Sequence, residues 1–274
     1  RHPRRHPHPG PTMNTQPNTP ADRDYVDALA RGLDILMACA AAQGGLTLAE
    51  AARRTGATRA SARRSLLTLV AKGYLITDER IFRLTPKVLA RSASVASAPI
   101  VRAIQPVLDD LSRRFDESFS LAALVDAEIV YIARSEARRI GALNLGVGSR
   151  LPAWCTSMGR VLLAGLPEAE RQVRVPQTLT ARTPKSLTDR PALMSELNRV
   201  EAEGYCILDE ELELGLRSLA VPIGRPDGSV AAALNVGSQS QRASREVLSE
   251  TFLPALKAAS DLLAPALSGR GLAP

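Results

Sequence analysis

Residues 47–86, TLAEAARRTGATRASARRSLLTLVAKGYLITDERIFRLTP, constrain this chain more than any other stretch. They contain two short helical patterns joined by a glycine, followed by two short strands around a charged turn, the layout of a winged helix-turn-helix. Thr47 and Glu50 have the Thr-x-x-Glu spacing of a capping box and open the first helix. Gly56 stands where a helix C-terminus favours a left-handed residue, and Thr58 can cap the next helix. In that helix Ala62, Leu66, Leu69 and Val70 make the stripe expected to be buried. A turn of about 100° per residue places Ala60, Ser61, Arg64 and Thr68 opposite, with Arg59 and Arg63 on the flanks. Small residues and arginines on a free helical face suit a major groove, where they donate to guanine edges or phosphates. The alternative is an amphipathic hairpin with a solvated basic face.

The predicted wing favours the DNA reader. Tyr74–Thr77 and Ile81–Thr85 are rich in β-branched and aromatic residues on either side of Asp78-Glu79-Arg80, as a hairpin requires. Arg80 at the tip and Arg83 on the return strand are candidates for phosphates, with Arg63 and Thr68; Arg59, Ser61 and Arg64 are candidates for base edges. Val26, Leu29, Leu33, Leu36 and Met37 form a third helical stripe expected to pack beneath the motif. Charge is distributed accordingly. The chain carries +7, yet residues 88–274 hold 21 basic and 21 acidic side chains. Residues 23–87 hold nine Arg and two Lys against six acids, so the positive excess sits where phosphate contact is needed. The 31 Arg against 4 Lys is compositional and adds little.

With 274 residues, 45% of them hydrophobic, two cores are affordable. The apolar run Ile35–Ala49 is broken by Gly44-Gly45, and no run reaches the roughly 18 residues of a membrane span. The opening RHPRRHPHPGPT lacks the apolar centre of a secretory signal; residues 1–22 read as a disordered tail, with Met13 a plausible start. Cys39, Cys155 and Cys206 are far apart in apolar surroundings, so they read as buried or semi-buried thiols of a cytoplasmic protein. His2, His6 and His8 are the only histidines and all lie in the tail, which disfavours histidine-based triads and histidine-ligated metals. No metal or cofactor is expected.

Residues 88–98 read as a linker helix, and Val101, Ile104, Leu108 and Leu111 as the stripe of a longer helix after a break at Pro99. Ser118–Val125 and Ile129–Ala133 make a hairpin around Asp126-Ala127-Glu128, and Leu143–Val147 is a further candidate strand. Helices are expected over Ser157–Ala164 behind Thr156, over Ala192–Glu203, and from about Arg245 to Leu263; Arg217–Ile223 and Val230–Val236 are strands. The whole is an α+β architecture: a winged helix-turn-helix (23–87), the linker helix (88–98), an effector domain (99–268) and a short tail (269–274). Arg134 shares alternation with Val130 and Ile132; it either meets an anionic ligand or, the favoured reading, faces solvent or an interface. Asp209-Glu210-Glu211 reads as a helix or turn partnered by Arg217 rather than as a cation site.

RGLDIL, the helix-turn-helix, GSRLPAWCTSMGRVLLA, GYCILDEELELGLRSLAVPI and DGSVAAALNVGS, in this order and spacing, resemble the isocitrate lyase regulator (IclR) family of bacterial transcription factors over about residues 24–266. GSRLPAWCTSMGRVLLA is most similar to the subgroup that governs aromatic-acid catabolism through the β-ketoadipate pathway. The resemblance implies a GAF-like effector domain, dimers often paired into tetramers, and operator DNA as partner. It also implies an effector pocket at Ser157, Met158 and Gly159, at Leu216 and Ser218, and at Asn235 and Gly237; Leu143, Leu145 and Leu216 are expected to give it apolar walls. Relatives carry small hydroxyl or thiol residues where this chain has Ser218, Asn235 and Gly237. Free N–H groups at a helix start independently suit a carboxylate at the first of these stretches; the alternative is a structural cap. The expected function is a DNA-binding regulator answering to a small organic acid, aromatic or dicarboxylic. Two rivals are an enzyme with an added nucleic-acid-binding domain, for which no acid/base pair is recognisable, and an architectural DNA-binding protein without an effector.

Overall fold

In the computed structural model, residues 25–42, 44–88, 99–137 and 145–267 are described. The tails (1–22, 269–274), nearly all of the expected linker helix and Leu143 lie outside them. The chain divides into two compact units, ending and beginning at Ser92 and Ala93.

The first unit contains α1 (Asp27–Ala40), β1 (Leu46–Thr47), α2 (Leu48–Thr55), α3 (Arg59–Ala71), β2 (Leu75–Thr77) and β3 (Ile81–Leu84). Thr47 and Glu50 form the capping box, the Glu50 carboxylate accepting from the Thr47 amide at 2.8 Å. Gly56 closes α2 at φ 66°, a conformation that carries no Cβ penalty in glycine, and the Thr58 hydroxyl accepts the Ser61 amide at 3.2 Å. The sheet runs β1-β3-β2, so the two-stranded wing gains a third strand that the sequence pattern did not announce. Two residues, Leu46 and Thr47, pair with Phe82 and Ile81; a run that short carries no alternation to read.

The α1 stripe is corrected. Ile35 and Cys39 are the buried residues of α1, packing with Ala62, Leu66 and Phe82; of the expected stripe only Leu36 packs against this core, whereas Val26, Leu29, Leu33 and Met37 are exposed, Leu29 by 62%. This helix has two apolar faces, and periodicity alone cannot say which one a small domain buries. Ser61 is the second correction: it is 8% exposed beside Ala62, because the buried arc of α3 is wider than the apolar stripe.

The second unit is built on a six-stranded antiparallel sheet in the order β6-β5-β4-β9-β8-β7. Its strands are β4 (Ser118–Val125), β5 (Glu128–Ser135), β6 (Arg150–Pro152), β7 (Cys206–Asp209), β8 (Leu216–Gly224) and β9 (Val230–Gln239). One face is covered by α4 (Pro99–Phe115) and by the C-terminal helix. The latter begins as α8 (Arg245–Val247), passes through a π turn at Leu248–Phe252 and continues as α9 (Leu253–Leu267). Ile104, Leu108, Leu256 and Leu263 meet Phe119, Leu121 and Leu234 there, and Phe115 packs on Phe119 and Phe252 with centroids 6.0 and 5.1 Å away. The other face carries α5 (Ser157–Ala164), all of whose residues are buried, with α6 (Glu168–Arg174) and α7 (Arg190–Glu203) outside it. A sheet covered on both faces explains the near-continuous apolar runs of β8 and β9.

The expected strand at Leu143–Val147 is not formed over its described part. Gly148, at φ 87°, donates to the Tyr131 carbonyl at 2.8 Å and turns the chain, so pairing with β5 starts only at Arg150. α6 and β7 were not anticipated.

Asp78 accepts hydrogen bonds from the Ile81 amide (2.8 Å), from the Arg83 guanidinium (2.9 Å) and from the Arg80 amide (3.2 Å). These bonds, the Ile81 amide first, hold its carboxyl at about 2 against an ordinary 3.8. A depressed carboxylate stabilises the fold fully above its unfolded value, and that contribution is lost on acidification. Amide-exchange protection at Arg80 and Ile81 is therefore expected to hold above pH 3.8 and to vanish as pH falls through about 2.

Candidate functional site

A cavity of about 350 Å³ opens on the α5 face of the second unit's sheet. Strand register explains why space is left there. Ser118, Gly237, Ser218 and Leu208 lie in one row across the sheet, and Ser120, Asn235, Ala220 and Cys206 in the next. Both rows are dominated by small side chains. The sheet therefore falls short of filling the gap to α5, and the cavity occupies the difference. Pockets for small organic ligands span roughly 300–1,000 Å³.

The N-terminus of α5 forms one wall. The Thr156 hydroxyl accepts the Gly159 amide at 3.1 Å, and the Thr156 carbonyl accepts the Arg160 amide at 2.9 Å. The amides of Ser157 and Met158, both cavity residues, are left as the free first-turn donors among the described residues. Gly159 is placed differently from expectation. It does not line the cavity; a Cβ there would stand 2.1 Å from the Ala153 carbonyl oxygen, so its role is the close packing of α5 on the preceding turn. Leu145, Ser157, Met158, Leu216, Ser218, Asn235 and Gly237 are brought together around the space, and Leu143 lies outside the described residues. Asn235 is 8% exposed, and its Oδ1 is buried without a hydrogen-bond partner. Such an orphan costs stability unless something bonds to it.

Arg134 reverses its favoured reading. Its side chain is 11% exposed and lines the cavity. The cause is a bulge: Leu121 pairs with Ala133 and Ala122 with Tyr131, leaving Ile132 as an extra residue in β5. Past it the alternation inverts, so Arg134 shares the cavity face with Tyr131 rather than with Val130. Arg134 donates to Ser120 Oγ at 2.9 Å and to Glu136 at 2.8 Å.

The acidic run Asp209-Glu210-Glu211 spans the end of β7 and the bend after it, and its three carboxylates take three different cations. Asp209 meets Arg217 at 2.9 Å, Glu210 pairs with Lys185, and Glu211 takes a bidentate Arg160 at 2.9 and 2.5 Å. Arg160 is 2% exposed and also donates to the Trp154 carbonyl at 2.9 Å. Glu211 walls the cavity, so a buried ion pair ties α5 to the loop that encloses the space. Sequence reading passed over Arg160, though a charge inside the apolar octad SMGRVLLA was a visible anomaly. Cys155 and Cys206 are buried free thiols, pushed up to about 11 and about 12 by desolvation.

In the first unit, Arg59, Ala60, Arg63, Arg64, Leu67 and Thr68 make the exposed face of α3. The Thr68 hydroxyl donates to the Arg64 carbonyl at 2.8 Å. Arg80 projects exposed from the wing tip, while Arg83 is committed to Asp78 at 2.9 Å and to the Gly44 carbonyl at 3.1 Å, so it builds the wing.

The sequence matches two family descriptions, the IclR helix-turn-helix domain over residues 28–79 and the bacterial transcriptional regulator IclR C-terminal domain over residues 92–264. The chain belongs to the IclR family of bacterial transcriptional regulators. It is 43% identical to the Pca regulon regulatory protein of Pseudomonas putida, over 90% of this chain and 86% of that protein. It is 36% identical to the p-hydroxybenzoate hydroxylase transcriptional activator of Acinetobacter baylyi, over 92% and 93%. Among solved structures, the inducer-binding domain of the PobR transcription factor from Acinetobacter, a double mutant in complex with 3-hydroxybenzoic acid, superposes with a TM-score of 0.56 at 32% identity, covering 60% of this chain and 96% of that one. These relatives place the chain with the regulators of aromatic catabolism, as GSRLPAWCTSMGRVLLA suggested. Its α+β fold, a helix-turn-helix unit followed by a curled-sheet domain, is that of an effector-responsive DNA-binding regulator.

Gly159→Ala is expected to destabilise the second unit by about 1–3 kcal/mol or more, because the neighbour it strikes is backbone and cannot rotate away. Urea denaturation of the variant against the wild type measures this.

Proposed function

We propose that the first unit reads operator DNA through α3 and the wing, and that a small aromatic acid bound in the second unit's cavity alters that binding. The observation that carries the reading is the cavity itself: apolar walls, free amides at the start of α5 and an orphaned Asn235 face one enclosed space. The relatives named for p-hydroxybenzoate and complexed with 3-hydroxybenzoic acid support the ligand class. Binding alters DNA affinity only to the extent that the ligand prefers one arrangement of the regulator, typically by a coupling of about 1–3 kcal/mol. The segment 88–98, the covalent connection between the units, is the route. The relatives are named as transcriptional regulators, and the chain is read as a cytoplasmic regulator rather than an enzyme.

On the DNA, Arg59 and Arg64 are assigned to base edges, and Arg63, Thr68 and Arg80 to phosphates. Ser61 and Arg83 leave the contact set because one is buried and the other is spent inside the wing. Arg64→Ala is expected to cost about 1–3 kcal/mol on the operator and to relax specificity at one base pair. Arg80→Ala should weaken all sequences alike and flatten the salt dependence. Fluorescence titrations at several salt concentrations separate the two; unchanged operator affinity in Arg64→Ala removes α3 from the groove.

One winged helix covers a small footprint, so specific affinity calls for a symmetric dimer on two half-sites, with tetramers as a further step. The outward face of α1, with Val26, Leu29, Leu33 and Met37 exposed together, is the surface this assembly would cover. Sedimentation at micromolar concentration is expected to show a dimer or tetramer, and Leu33→Glu to shift it toward monomer. A monomeric wild type, with and without DNA, overturns the assembly.

A further inference from the structure

We propose that Leu67 selects thymine: from the middle of the outward face of α3 it packs on the 5-methyl group of one thymine in each operator half-site. This rests on the reading of α3 as the helix that enters the major groove, and adds a base preference which that reading leaves open.

The outward face of α3 has a midline. Ala60 and Leu67 are seven residues apart, about two turns, so they project in nearly the same direction. Arg63 and Arg64 stand about 50° to either side of that direction, at about 100° per residue. All four are exposed, Leu67 by 42%, whereas Ala62 and Leu66 enter the core on the opposite side. Unlike Arg83, which is spent inside the wing, the guanidiniums of Arg59, Arg63 and Arg64 have no ion pair or hydrogen bond among the described residues. A lone exposed leucine is ordinary on a protein surface. This one lies between two uncommitted cations, on the line that a groove-seated helix turns toward the base edges.

What a leucine does there follows from its side chain, which has no donor and no acceptor. In the major groove guanine presents N7 and O6, cytosine its N4 amino group, and adenine N7 and its N6 amino group. Covering any of these with an isobutyl group removes water and returns no hydrogen bond. Thymine alone presents a methyl carbon, and burying that methyl against Leu67 is favourable. Ala60, which ends at Cβ, leaves room for the helix to lie close to the groove floor. Leu67 is three residues beyond Arg64, about 4.5 Å along the helix axis. Successive base pairs are about 3.4 Å apart. The thymine is therefore one or two base pairs from the pair that Arg64 contacts.

The test begins with sites selected from a pool of random duplexes by the full-length chain, as wild type, Arg64→Ala, Leu67→Ala and Leu67→Gln. The wild-type consensus is expected to hold a thymine one or two base pairs from the position that Arg64→Ala relaxes. Leu67→Ala should relax the thymine and leave the Arg64 position sharp. Deoxyuridine in place of that thymine deletes the methyl group and keeps every hydrogen bond. In fluorescence titrations at fixed salt it should weaken the wild type about fourfold per half-site, the value of one buried methyl-sized group, and leave Leu67→Ala unaffected. A residue that merely packs or props the helix would weaken both duplexes alike. Leu67→Gln, a good helix former of similar length, should also lose the methyl sensitivity, so the result does not hang on one variant. No thymine preference in that window, equal wild-type affinity for the two duplexes, or undiminished methyl sensitivity in the variants overturns the proposal and leaves α3 in the groove. A smaller assembly of Leu67→Ala in sedimentation overturns it as well, because Leu67 is then a subunit contact. Failure of the wild type to select any sequence overturns the groove reading and this inference with it.

Discussion

The second unit turns on one buried charge. Arg160 reaches from the apolar helix α5 with 2% exposure, and three acceptor atoms meet its guanidinium: the Trp154 carbonyl and both oxygens of Glu211. Glu211 in turn accepts the Leu187 amide at 2.9 Å, and its carbonyl accepts the Ser186 hydroxyl at 2.7 Å. Desolvating a guanidinium and a carboxylate costs several kcal/mol apiece, and only near-complete hydrogen bonding offsets it. The pair is therefore poor evidence for stability and good evidence for geometry. It holds the start of α5 and the loop after β7 at a set separation, and the cavity lies between them.

That separation matters because the sheet beneath is deliberately thin in side chain. Gly237, Ser118, Ser120 and Ser218 supply little volume, while Phe119, Leu121, Leu234 and Val236, pointing the other way from the same strands, fill the opposite core. Strands β4 and β9, with β8 beside them, thus give a packed floor to α4 and α9 on one face and an open floor on the other. The polar atoms left facing the space, those of Asn235, Ser157 and Arg134, would be a liability in an empty core. They are intelligible if a polar molecule completes them.

The first unit divides its arginines between bracing the wing and exposure to solvent. Arg83 and Asp78 brace the wing, and Arg80 is left free at its tip. On α3, Arg59, Arg63 and Arg64 stay in solvent because Ala62 and Leu66 take the inner face. The positive charge of α3 and the wing tip is thereby left exposed rather than neutralised, which suits a phosphate-facing surface. α1 likewise has two faces: Ile35 and Cys39 enter the core, and Leu29, Leu33 and Met37 stay exposed.

Local chemistry was legible in the residues themselves. The capping box at Thr47 and Glu50, the left-handed Gly56, the Thr58 and Thr156 caps and the hairpin at Asp126 are short-range arrangements, decided by neighbours within four residues, and they appear where the pattern put them. The residues of the cavity wall were reached mostly through family resemblance, because rows assembled from β4, β9 and β8 have no signature in any one segment. What the tertiary structure alone decided were matters of which side wins. α1 had two apolar faces, and only packing against α3 selected Ile35 and Cys39. Alternation along β5 pointed Arg134 away from the cavity, and only the extra residue at Ile132, a product of pairing with β4, turned it in. Gly159 looked like a ligand contact until the Ala153 backbone was seen against it. Periodicity determines that a segment has faces; which face meets protein, solvent or ligand depends on partners distant in sequence, and those are settled only when the chain closes on itself.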